Sequence, residues 1–147
     1  MVTMFAYLKG AGASAFVATV CYFLLFISTV DWSRTNTMRT DDLGIIFTTV
    51  YSYIGCILGW LLLKLLTKLN IKNIWVSLIS YAILGFIFAL IISSIYGPLL
   101  IGAILFTVAG SVSFYLAQKI HSIVLSWTMV LIGPIAAYIT FYYFSYL

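Results

Sequence analysis

The chain is 147 residues long, 65% hydrophobic and 7% charged, with a mean hydropathy of +1.20. A water-soluble domain is nearer half apolar and a quarter charged, and no soluble fold of this size can hide so much apolar surface. The net charge of +4 comes from seven basic residues scattered over short segments. That makes a poor phosphate-tracking surface, so no nucleic-acid partner is expected.

Crossing a hydrocarbon layer about 30 Å thick takes roughly 20 apolar residues. Five stretches free of formal charge meet that length: residues 10–30, 43–63, 74–95, 99–117 and 123–146. The runs are continuous rather than alternating, which argues against a β-barrel, and open strands leave backbone groups unsatisfied in lipid. The expected fold is all-α, a polytopic transmembrane helical bundle of five spans forming a single transmembrane domain over 1–147.

The first span follows Lys9 and is too long for the apolar region of a signal peptide, so it is read as retained. It carries small residues at four-residue spacing, Gly10, Ser14 and Ala18, and one cysteine, Cys21. The segment 31–42 mixes Asp31, Arg34, Arg39, Asp41 and Asp42 with Trp32 and Met38, and is read as a solvated connection, with an outward binding face as the alternative.

The second span holds Gly55 and Gly59, a G-x-x-x-G spacing, together with Cys56. Small residues let helix backbones approach closely in lipid, so this face is expected to be the tightest packing surface, with the first span as its neighbour. Lys64, Lys68 and Lys72 follow, and are expected to meet anionic lipid headgroups.

Tyr96-Gly97-Pro98 divides the next apolar stretch into a third and a fourth span. The fourth offers Ala109 and Ser113 for packing, and the loop after it carries Lys119 and His121. The fifth offers Gly133 and Ala137, ends in a run of aromatic residues, and contains Pro134, where a kink is expected.

Five lysines (Lys9, Lys64, Lys68, Lys72, Lys119) fall on one side of the bundle and two arginines on the other, beside all three aspartates. The positive-inside bias selects an N-in/C-out topology.

An ionisable residue inside a span is a functional candidate by default, and the five runs contain none. His121 is the single histidine, the two cysteines sit on separate spans, and the sequence has no phosphate-binding loop, dinucleotide fingerprint or zinc spacing. No enzyme activity, cofactor or metal is expected. The opening Leu8-Lys9-Gly10, with Cys21-Tyr22-Phe23-Leu24-Leu25-Phe26, resembles the first helix of small GtcA-like lipid-sugar flippases. It covers one helix of five, and the span count departs from the four usual there, so no function is carried over.

The expected role is a small non-catalytic integral membrane protein of a bacterial plasma membrane, acting by association as an accessory, regulatory or immunity-type subunit. Its partners would be membrane lipids and a membrane protein or a second copy of itself. The alternative is an oligomeric transporter or flippase subunit for a neutral or lipidic substrate. That alternative expects Thr48, Thr49, Ser52, Tyr53 and Ser80 to line one cavity.

Overall fold

A computed structural model describes residues 4–24, 49–71, 73–94 and 104–143 in full, and only the helical backbone of 25–29, 38–48, 95–96, 101–103 and 144–145. Lys72, the connection 31–37 and the Gly97-Pro98 turn lie outside the described residues, as does the side chain of Thr48.

The described chain is all-helical: α1 Met4–Thr29, α2 Met38–Lys68, α3 Ile74–Tyr96, α4 Ile101–Gln118 and α5 Ile123–Ser145. Four of them, α1, α2, α3 and α5, are long and apolar enough to cross a membrane, while the described apolar part of α4, residues 104–118, is shorter. Helices are what such a sequence must form in lipid, because each satisfies its own backbone along its length.

Two helices overrun the stretches read from the sequence. α1 starts at Met4, so Lys9 lies within the helix rather than ahead of it. α2 extends back to Met38 and on to Lys68, taking in Asp41, Asp42, Lys64 and Lys68. Charge does not stop a helix; long lysine stems lie along apolar surface while the ammonium reaches a polar level.

The turn between α2 and α3 has the form of a Schellman cap. Asn70 takes a left-handed φ of 55°, Ile71 N–H donates to the Leu66 carbonyl (3.0 Å), and Asn70 N–H donates to the Thr67 carbonyl (3.1 Å). Ile71 then packs against the cluster that contains Leu66. Asn73 starts the next helix, its Oδ1 accepting from Trp75 N–H at 2.9 Å.

α1 is the hub of the bundle. Residues 10–15 read Gly-Ala-Gly-Ala-Ser-Ala, and this run is buried on every face. α5, α4 and α2 all pack on α1, and α3 packs on the outer side of α4. α2 and α3 touch only sparsely.

The closest approaches occur at glycines. A Cβ on Gly12 would strike the carbonyl oxygen of Met129 and lie 2.9 Å from that of Val130, and a Cβ on Gly133 would strike the carbonyl of Gly12. Pro134 lacks the N–H that would bond Val130 in a regular helix, so the carbonyl it leaves is one of those facing α1. α3 and α4 meet in the same way: a Cβ on Gly85 would sit 2.8 Å from the Thr107 carbonyl oxygen.

Candidate functional site

Between α2 and α3, backed by α1 and α4, lies a half-enclosed cleft of about 290 Å³. It exists because α3 leans on α4 and leaves α2 apart except at one end. There the Tyr81 hydroxyl donates to the Gly59 carbonyl (2.7 Å), and the Ser111 hydroxyl donates to the Tyr81 carbonyl (2.7 Å). The Tyr81 ring stacks on Tyr115 (5.1 Å) and Phe114 (6.0 Å), and Tyr81 is completely buried. One side chain thus ties α2, α3 and α4 together and closes that end of the cleft.

The lining is mainly apolar. Gly55 and Gly59 of α2 form part of one wall, and the rings of Phe88, Phe106 and Phe114 line the space from α3 and α4. Among the polar groups present, Thr107 donates to the Ile104 carbonyl (2.9 Å) and Ser111 to that of Tyr81, and Ser14, Tyr51 and Ser52 complete the polar lining. Ser14 lies within hydrogen-bonding reach of the Cys56 thiol. Of the five polar residues expected to line a transport cavity, the side chain of Thr48 lies outside the described residues, and of the other four Ser52 is found there. The Tyr53 carbonyl accepts from Tyr7 (3.0 Å), and the Ser80 hydroxyl is turned to the Val76 carbonyl of its own helix (2.8 Å).

The small-residue faces do not pair as the sequence suggests. Gly55 faces the Phe88 ring of α3 and Gly59 the Phe114 ring of α4, so neither marks a backbone contact with α1. Gly10 instead faces Phe114 and Gln118 of α4, and Gly110 of α4 faces Ser14. Ala18 is buried and lines the cleft. A Cβ on Gly133 would meet the backbone of α1. Ala109 and Ala137 are half-buried, and the half-buried Ser113 donates to the Gly110 carbonyl of its own helix (2.8 Å). Gly12, another tight contact, carries no four-residue spacing that points to it, whereas Gly85 shares one with the buried Ala89 of the same helix.

The lysines among the described residues collect at one end. α3 begins beside the end of α4, and Gln118 at that end donates to the Ala6 carbonyl of α1 (2.8 Å). Lys9 is buried with 7% of its surface exposed, and its Nζ donates to the Ile120 carbonyl in the α4–α5 turn (2.8 Å). Expected beside the membrane span, Lys9 is in fact a structural donor inside the helix packing. Lys64 and Lys68 are exposed, and the Lys64 ammonium sits 3.5 Å from the centre of the Trp60 ring. The Trp60 indole N–H is enclosed and meets no acceptor among the described residues. Lys119 lies over Tyr115 at 5.2 Å, and His121 is exposed.

Cys56 is buried and Cys21 half-buried, and both are free thiols. Among the described residues no three of His, Cys, Asp or Glu gather into a group able to hold a metal ion. Pro134 lies on the exposed side of α5, within a helix that continues to Ser145.

Comparison with protein-family models, with curated proteins and with solved structures gives no match.

Proposed function

We propose that the chain is a multi-pass integral membrane protein of a bacterial plasma membrane, N-in/C-out with five membrane-embedded helices, and that it acts non-catalytically by association. It serves as an accessory, regulatory or immunity-type subunit, and the surface it offers is the outer face of α5.

The observation that carries this reading is Tyr138. It is 68% exposed on the side of α5 turned away from α1 and stacked on Tyr142 at 6.4 Å, an uncovered aromatic pair on an apolar helix face. Leu131, Ile135 and Ile139 continue the same exposed face along the helix. A transmembrane helix from a partner would cover this stripe and supply an acceptor for Tyr138. Purification of the tagged chain in mild detergent tests the reading. A membrane protein or second copy should co-purify with the wild type, and its recovery should fall with Tyr138→Ala; recovery of the bare monomer in both cases contradicts it.

The transporter or flippase reading is favoured by one observation, the cleft with its four contributing helices. It requires substrate to move across the bilayer, and a transport assay in vesicles separates it from association.

A further inference from the structure

We infer that the α2–α3 cleft is a binding site for one acyl chain of a bilayer phospholipid. The inference rests on the membrane placement, and stands apart from the association through α5.

Size decides first. The cleft holds about 290 Å³ and runs beside α2 from Tyr51 to Gly59, a rise of about 12 Å at 1.5 Å per residue. A single flexible chain of methylenes can lie along that length.

Chemistry decides second. Phe88, Phe106 and Phe114 present rings to the space, and Gly55 and Gly59 present no side chain at all. Thr107 and Ser111 have turned their protons to backbone carbonyls. The lining carries no charged side chain, so a charged ligand would find no counter-charge there.

Location decides third. The cleft opens where α2 and α3 part, along segments whose exposed neighbours are Ile54, Leu58, Ile87 and Ile91. These are side chains that face lipid tails in a bilayer, so a chain enters sideways while its headgroup stays at the interface. Filling the gap also supplies the contacts that α2 and α3 do not make with each other.

The test uses the full chain in phosphatidylcholine vesicles doped with a phosphatidylcholine that carries a diazirine at mid-chain. After irradiation, adducts are mapped by mass spectrometry. Segments 84–92 and 104–114 should label several-fold more strongly than the lipid-facing segment around Ile135 and Ile139. Leu58→Trp, which fills the mouth, should abolish that excess while leaving α5 labelling and the melting temperature near wild type. If that variant does not fold, Ser52→Leu reads the same space from another position. Cleft labelling no stronger than that of α5, or an excess that survives in a folded filled variant, overturns the proposal. Cross-linking of the cleft to a second polypeptide would also overturn it. None of these outcomes alters whether a partner co-purifies through α5, which is read separately.

Discussion

Gly12 of α1 and Gly133 of α5 abut backbone to backbone: a Cβ on either would collide with a carbonyl oxygen of the other helix or its neighbour in sequence. In lipid there is no hydrophobic drive between helices, so such close approach, with its dispersion and weak Cα–H···O contacts, is what holds a pair together. Gly12→Ala and Gly133→Ala should each lower stability by about 1–3 kcal/mol, the usual cost of overpacking a tight contact. That loss outweighs the gain of roughly 1 kcal/mol that alanine brings to a helix interior. Gly59→Ala, whose added carbon would lie 3.3 Å from a movable Phe114 ring, should be near neutral. Thermal unfolding in detergent checks the contrast, and equal effects at all three positions would refute it.

Lys9 donates to the Ile120 carbonyl from within the packed end of α1. Lys9→Met keeps the stem and removes the donor, leaving an enclosed carbonyl to be rehydrated or stranded. The expected loss is about 1–3 kcal/mol, read by denaturation in detergent. An unchanged midpoint would mean the ammonium serves the headgroup region instead.

Tyr81 separates its two contributions cleanly. Tyr81→Phe removes the hydrogen bond to Gly59 but keeps the stack on Tyr115 and Phe114, and should cost about 1 kcal/mol. Tyr81→Ala also empties the volume and should cost about 3–5 kcal/mol. If the two variants unfold together, the ring contacts at this end of the cleft contribute little.

Cys56 is buried and Cys21 half-buried, and both are free thiols. Cys56→Ala should cost about 1 kcal/mol and Cys21→Ala less, following their burial. In folded protein Cys56 should resist a membrane-permeant maleimide that labels it readily after denaturation. Rapid labelling of Cys56 in the folded state would show that the Ser14 contact opens.

The helices were legible in the sequence because uninterrupted apolar runs have one backbone solution in lipid. Their partners were not. The spacing of Gly55 and Gly59 defines a face but carries no information on which helix fills it, and two phenylalanines do so. Gly12 escaped notice because its counterpart, Gly133, lies on a helix distant in the chain. A usable signal was present: the run 10–15 is small on every face, the pattern of a helix approached from all sides. A charge need not end a span: Lys9 lies within the helix because a carbonyl in a neighbouring turn receives its ammonium. The cleft depends on α3 leaning toward α4 through Gly85; the Gly85–Ala89 spacing marks that face of α3 but not the helix that meets it.

Association through the outer face of α5 is tested most directly by photo-crosslinking in native membranes. A photoreactive phenylalanine analogue is placed at Ile135 or Ile139 of α5, and in parallel at Ile79 or Ile83 of α3, all exposed to similar extents. The α5 positions should yield a discrete protein adduct that is lost with Tyr138→Ala, while the α3 positions give lipid adducts alone. Lipid adducts alone from both helices would contradict the association account.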